Sequence, residues 1–576
     1  MKYLFMCIFA ALGLASVATW KMLPASQFDV PVIYWVTDAN PARVEQVAIF
    51  QRWLKKDPSR PAMQVLLDAA NSRTEKKVIQ GVSGVAGDTM DLGGGAGMRY
   101  FNAIGLLEPV TQYAKKLNYG LDTTYEAIRP ELAQDGEQYM YPCNVTASIY
   151  WVDQNLFEKV GMAPPPYTWD FETFERIGKE YVTKANPPGE RQLNFMLNTV
   201  DTEMLYRSMG LAKFNETMTR CQLDDPRHIK AMKLKYKWMY EDHILPTAAE
   251  ASGFDVESGY GGPALFLFSQ GNYAMFQMGR YALIRLRQLQ QERLDKGEPM
   301  MKLDVVGMPN GGFPTTNAST RALCVYRGGK HKELAVVFQS YLASKDYNMQ
   351  IVRDADALPP NPKYTKTDAF EKPLPLLPPR WELLFDYAKE EDRMVSDFRI
   401  DFYEALDKVD RDSKWKISDL PRPPKPAAMD DATYQEKLAS FDMAYNSSMP
   451  VYRAEWGLHQ KFLYTMDKIA LPSDLTPFAV PDTVTLEIKN AEDEFINSRS
   501  TAEASAKRAT ERINAEIQRT LDENPELQPK YDQLCAVQKQ IEELRAAGKK
   551  VPAKLITNPF YLRYYRVQGW LDEEDK

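Results

Sequence analysis

A chain of 576 residues is long enough to bury more than one hydrophobic core, so two or more domains are expected. Its net charge of −7 at pH 7 offers no basic face to a phosphate backbone, which argues against nucleic acid as a partner. The 31 Tyr, 25 Phe and 10 Trp suffice to line a site for flat apolar ligand faces after the cores have taken their share.

The chain opens MKYLFMCIFAALGLASVATWKML: one lysine, an apolar run from Tyr3 to Ala18, and a small-residue end. Residues 1–22 read as a signal peptide or N-terminal anchor. The run is shorter than the roughly 20 residues of a spanning helix, so removal after Ala18 is expected, leaving a soluble periplasmic or extracellular chain; retention at the membrane by an uncleaved segment is the alternative. Cys143, Cys221, Cys324 and Cys535 are too scattered for a metal cluster or a disulfide framework.

VPVIYWVTD (Val30 to Asp38) is a β-branched and aromatic run, and the segment after it carries Val44, Val47, Ala48 and Leu54 at helical spacing. MQVLLDAA, RTEKKVIQGV, DTMDLGGG and GMRYFNAIGLLEPV repeat the strand–helix alternation, which predicts a mostly parallel sheet covered on both faces. Ligands of such sheets bind beyond the carboxyl ends of the strands. That rule singles out Thr37 and Asp38 after the first strand and the glycine run Gly93–Gly97 after the third, whose spacing is not the dinucleotide fingerprint. MAPPPYTWD interrupts one helix and starts another, with Thr168 read as its N-cap. Beyond a Gly-rich loop (ASGFDVESGYGG) and a second sheet element (LDVVGMP), PLPLLPP and DLPRPPKP are stiff connectors. From about Lys489 the texture becomes Ala, Glu, Arg, Lys and Gln, with stripes at Ile513 and Ile517, then at Leu534, Val537 and Ile541. Docking of this hairpin on its own protein is the simpler expectation, docking on a partner the alternative.

The four histidines, His228, His243, His331 and His459, are not at ligand spacing, and no nucleophile elbow or phosphate loop is present. No cofactor or metal is expected. Asp38, Asp88, Asp91, Asp201 and Glu203 are the acids that could converge as a glycosidase pair.

Against this background DGEQYMYPCNVTASIYWVDQNLFEKVGM with PPPYTWDFETF, FSQGNYAMFQMGRYAL, and GGKHKELAVVFQSYLASKDYNMQ resemble segments of the extracellular solute-binding proteins of ABC importers, in particular the large carbohydrate-binding family that includes maltose-binding proteins. The resemblance covers about Val30 to Pro362, is loose to Val480 and then ends. It implies an α/β, periplasmic-binding-protein-like bilobal fold of two mostly parallel-sheet lobes joined by a hinge, followed by a C-terminal helical extension. Lobe one is expected at 28–140 and 322–365, lobe two at 141–321 and 366–480, and the extension at 481–576. A monomer would close on a mono- or oligosaccharide and deliver it to an importer permease, without catalysis.

Carried over by position, the resemblance assigns ligand contacts to Trp35, Thr37 and Asp38, to Gly94, Gly95 and Gly97, to Asn144, Thr146 and Trp151 at the crossover, to Arg280 and Tyr281, and to Phe313. Tyr281 stands where the family usually has Trp. If Arg280 points into the cleft, an acidic glycan is implied. An extracellular carbohydrate-processing enzyme, or a non-transport interaction protein using the C-terminal helices, are the alternatives.

Overall fold

The computed structural model describes residues 28–40, 42–254 and 262–573. The expected signal segment and most of the Gly-rich loop lie outside them.

β1 (Val32–Val36) forms where β-branched residues fill a pleated, half-buried surface. α1 (Ala42–Lys55) follows, burying Arg43, Gln46, Phe50, Trp53 and Leu54; the stripe is rotated from the expected one, so Val44 faces solvent. β2 (Gln64–Asp68), α2 (Thr74–Val82), β3 (Thr89–Gly93) and α3 (Gly94–Ala103) continue the alternation. β2 and β3 both pair with β1 in parallel. β4 (Met140–Ala147) belongs to this first sheet too, although it was expected to open lobe two.

The chain crosses at Ser148 into the second sheet. β5 (Ile149–Asp153), β6 (Phe195–Leu197), β7 (Tyr273–Met278) and β8 (Leu303–Val306) stand there in the order β8-β5-β7-β6, with α4 (Thr202–Ser208) and α5 (Leu283–Asp295) packed nearby. Only β6–β7 is parallel; β5 is antiparallel to both neighbours. The α/β bilobal architecture holds, but the expectation of a mostly parallel second sheet is corrected: β7 and β8 each return alongside β5 instead of crossing over. The helix after the proline stop is capped by Asp170, which accepts from Thr173 N at 2.8 Å, and not by Thr168.

β9 (Thr316–Val325) returns to lobe one antiparallel to β3 and β4. Its register against β4 slips between Arg321 and Ala322, leaving Cys143 unmatched, a bulge that re-aims the Arg321 side chain. α6 (Lys345–Asp354) then packs on α1. Residues 374–449, expected in lobe two, instead build their own helical core from Trp381, Phe385, Phe398, Phe402, Phe441 and Tyr445, with α7 (Asp392–Leu406) and α8 (Asp431–Ser447) as its longest members. A short β10 (Ala470–Leu471) pairs with the start of β9.

The extension comprises α9 (Pro481–Ile496), α10 (Ala502–Glu523), α11 (Gln528–Ala546) and α12 (Pro559–Gln568). Ile513, Ile517 and Leu521 of α10 enter the lobe-two core, while Ile541 and Phe560 close over Phe313 and Leu471. The hairpin therefore docks on its own chain. Between the lobes a shared cluster runs from Met90 and Val145 through Phe462 and Met466 to Trp151 and Phe276.

Candidate functional site

The carboxyl ends of β1 and β3 meet the β4–β9 pair in a charged network centred on Asp91. Its carboxylate accepts from Trp35 Nε1 at 2.7 Å, from Thr37 Oγ1 at 2.5 Å and from Arg321 Nη1, while Lys77 Nζ donates to its backbone carbonyl. Burial lowers the Lys77 ammonium from its ordinary value. A second centre lies beside it: Arg43 donates to Asp38 from Nε at 2.8 Å and Nη2 at 3.1 Å, and to Asp356 Oδ2 from Nη1 at 3.0 Å. Asn144 Nδ2 donates to Asp356 Oδ1 at 3.2 Å. Burial alone would raise the Asp38 carboxyl, but the Arg43 hydrogen bond and the charges of Arg43 and Arg321 hold it below its usual value.

Arg321 joins the two centres without saturating itself. Its Nε and Nη2 are buried and make no hydrogen bond, with Asp38 Oδ2 4.0 Å and Asp356 Oδ2 3.9 Å away. Asp38 stays about half exposed. Arg321 thus binds the two acidic centres together, and the half-exposed Asp38 carboxylate is the part of the network that can accept from a solute hydroxyl.

Asp356 is also a wall of a groove of about 800 Å³. Lobe one supplies Asn40, Glu45 and the turn after α6; lobe two supplies α5; the helical insert supplies Leu376 to Pro379, Tyr403 and Tyr452. The turn holds Ala355 and Ala357 in the left-handed region, at φ 58° and 66°, a conformation non-glycine residues adopt at a cost and one concentrated at functional sites. Two lobe-two arginines hold it in place: Arg280 donates to Ala357 O at 2.7 Å and Val352 O at 3.0 Å, and Arg287 to Arg353 O at 2.9 Å.

Of the residues assigned from the sequence, Trp35, Thr37, Asp38 and Asn144 lie together, around partners it did not single out: Arg43, Arg321 and Asp356. Trp35 contributes its N–H, since its ring is fully buried against Phe338. Thr146 lies against Gly279, whose missing Cβ leaves room for the threonine hydroxyl, and Tyr281 sits beside the same glycine, half-buried. Other assignments are corrected. Trp151 is a core ring between Phe276 and Phe462, its Nε1 donating to Gly279 O. Phe313 packs under Phe560 and Tyr564 of the extension. Arg280 is buried and engaged with backbone carbonyls and with His459 Nδ1 at 3.0 Å, so it does not reach the cleft. The loop at Gly94 and Gly95 encloses the Glu131 carboxylate, which accepts from Gly95 N, and Leu475 of the chain's own later segment; Gly97 packs on Leu92. The loop closes on these internal partners because a bare backbone admits both a carboxylate and a leucine methyl.

The acids considered for hydrolysis do not gather in one place: Asp38 and Asp91 meet at Arg321, which pairs with both, and the rest are engaged elsewhere. Asp88 accepts from Tyr34 N, Asp91 holds Arg321, Asp201 caps α4 in lobe two, and Glu203 pairs with Lys213 at 3.0 Å. Among the described residues no group of three or more His, Cys, Asp or Glu could hold a metal ion, and no helix is long and apolar enough to cross a membrane. The missed residues left little local signal: Arg43 and Asp356 stand 313 positions apart.

The profile of the bacterial extracellular solute-binding proteins matches residues 73–376. The chain belongs to that family. A protein of Brucella abortus (strain 2308), named only as a binding protein, is 26% identical over 245 residues, which are 41% of this chain and 54% of that one, so the match spans about half the length of the curated relative. Among solved folds, the ABC substrate-binding protein Lmo0181 of Listeria monocytogenes, in complex with cycloalternan, superposes with a TM-score of 0.57 at 16% identity, covering 85% of this chain and 100% of that one. The sugar-binding protein MalE of Xanthomonas citri gives 0.56 at 13%, covering 86% and 99%. At such identities these similarities establish the solute-binding protein fold and nothing finer.

Removing Asp91 tests the network. Asp91→Ala leaves the Trp35 N–H, the Thr37 hydroxyl and one Arg321 donor without their acceptor, and is expected to lower stability by about 3 kcal/mol. Urea unfolding would measure it; a loss below about 1 kcal/mol would show that water replaces the carboxylate.

Proposed function

We propose that this protein binds a carbohydrate in the groove between its lobes and hands it, unaltered, to the permease of an ABC importer. The observation that carries this reading is a groove walled by both lobes and reached by the strand-end network through Asp356, with the half-exposed Asp38 carboxylate sharing Arg43 with it. Hydroxyl-rich solutes need closely spaced hydrogen-bonding groups, and Asn40 on lobe one faces Gln288 and Gln291 on lobe two along the groove. Membership of the solute-binding family supports the reading, as does the likeness of its fold to a substrate-binding protein in complex with cycloalternan and to a sugar-binding protein. Export through the N-terminal apolar segment would place a monomeric protein in the periplasm or outside the cell.

The test is thermal unfolding and tryptophan fluorescence of the mature chain against mono- and oligosaccharides. A ligand at 100 times its dissociation constant adds about 2.7 kcal/mol of stability. The shift should vanish in Asp38→Ala and fall at least tenfold in affinity in Asn144→Ala, with the sugar recovered intact. A broad panel without any shift, or a sugar recovered cleaved, would overturn the proposal.

A further inference from the structure

The charges on the groove wall do not balance locally. Arg287 is committed: it donates to Glu455 from Nε at 2.7 Å and Nη2 at 2.8 Å, and its remaining Nη1 goes to a backbone carbonyl. Arg399 pairs with Glu382, and Asp356 already holds Arg43 and Asn144. Glu45, on the first turns of α1, and Asp354, at the end of α6, form no ion pair among the described residues, although both line the groove. The buried side-chain atoms of the wall that lack a partner are two acceptors, Glu45 Oε1 and Gln291 Oε1, on opposite lobes, and one donor, Arg399 Nε. The wall thus has more unused acceptors than unused donors, and two carboxylates that no cation contacts, with Arg353 and Arg399 acting on Glu45 only at a distance. Burial raises the Glu45 carboxyl against the pull of Arg353 and Arg399, and burial followed by the charge of Glu45 lifts Asp354 to about 8. Both shifts accord with two carboxylates held close together and without a cation in contact.

Resting on the reading of the groove as the solute site, we propose that the solute carries a positively charged amine, which seats against Glu45 and Asp354 with its N–H donors reaching acceptors on both lobes. An ammonium offers three donors and one charge in a compact group, matching what the wall lacks. This reverses the acidic glycan that an exposed Arg280 would imply, because the arginines near the groove are already neutralised or engaged. The chemistry could belong to an amino sugar or to a free polyamine.

The experiment is calorimetric titration of the full mature chain at pH 7 with glucosamine, glucose, glucuronate and putrescine, repeated with Glu45→Gln and Asp354→Asn. Glucosamine is expected to bind at least tenfold tighter than glucose, with glucuronate weakest, and each variant to erase most of that preference. Putrescine binding as tightly as glucosamine would assign the amine to a polyamine; glucosamine alone would assign it to a sugar. Thermal unfolding of the unliganded variants guards against misfolding, and Glu45→Gln is expected to match or exceed the parent, because an uncompensated buried carboxylate opposes folding. If glucose or glucuronate binds as well as glucosamine, or the variants keep the preference, this inference falls while the solute-binding reading stands. If none of these solutes nor the wider saccharide panel binds, both fall.

Discussion

A chain ending at Val480 is expected to accumulate as aggregate. Truncation there removes α9 to α12, and with them Ile513, Ile517 and Leu521 from the core of lobe two and Ile541, Phe560 and Tyr565 from the cluster over Phe313. Each such side chain contributes roughly 1.5–3 kcal/mol when fully buried. The six together reach the order of 10 kcal/mol, against a typical total stability of about 5–15 kcal/mol. The polar loss compounds the apolar one. Glu216 of lobe two is buried, receives Arg545 at 2.7 Å and Gln538 at 2.9 Å, and accepts from the Tyr565 hydroxyl; all three partners lie in the extension. The soluble fraction on expression and dye binding to exposed apolar surface would report the outcome. A soluble truncated monomer with the parent's unfolding temperature would instead make the extension a separable module, free for a partner.

The second large effect is expected at Glu455. Glu455→Ala leaves Arg287 buried without its carboxylate, and losing one member of a buried pair costs about 3–5 kcal/mol. Because Arg287 also holds the backbone of the turn that carries Asp354 and Asp356, ligand affinity should fall with stability. Replacing both residues, Arg287→Met with Glu455→Met, should recover much of the stability, since apolar groups of similar volume need no compensating charge, but not the affinity. Denaturant unfolding and ligand titration of the single and double variants separate the two roles. A single variant within about 1 kcal/mol of the parent would show that the pair is hydrated in solution.

The same cluster predicts an acid-sensitive fold. Arg280 Nε donates to His459 Nδ1, which leaves Nε2 protonated and 3.4 Å from Glu455. Burial, then the charge of Arg280, lowers His459 to about 4. Burial would raise Glu455, but Arg287 and His459 bring it down to about 2. Both folded values lie below the unfolded ones, so the stabilisation is complete above pH 6.5 and is lost as protons bind the unfolded chain first. His459 accounts for the loss between pH 6.5 and about 4, on the order of 3 kcal/mol, and Glu455 for that between pH 4.5 and about 2. Unfolding temperatures of the parent and of His459→Leu across pH 4 to 7 check this: the variant should lose less on acidification.

The strand–helix alternation from Val32 to Ala103 was legible because each element is defined by neighbours within a few residues: a β-branched and aromatic run for β1, and a repeat near 3.6 for the helices. The same local signals identified the apolar stripes of α10 and α11. Likewise, the end of β1 could be picked out by rule, so Thr37 and Asp38 were singled out without knowing what faces them, while Asn144 came only from the family resemblance.

What lay beyond the sequence were the pairings. Nothing local distinguishes a tryptophan that covers a sugar from one that fills a core, and Trp35 and Trp151 became core rings because Phe338 and Phe462 arrive from far along the chain. The antiparallel second sheet depends on which edge β7 and β8 join, a choice their own residues leave open. The charge balance of the groove depends on the same long-range packing: Arg280 looks like a free cation in the sequence and is consumed by Val352, Ala357 and His459, whereas Glu45 looks like an ordinary first-turn acid and lies where Arg353 and Arg399 act on it without contact. Periodicity is set by neighbours along the chain, so the sequence determined the elements; burial and electrostatics act through space, so only the tertiary structure decided which side chains could meet a solute.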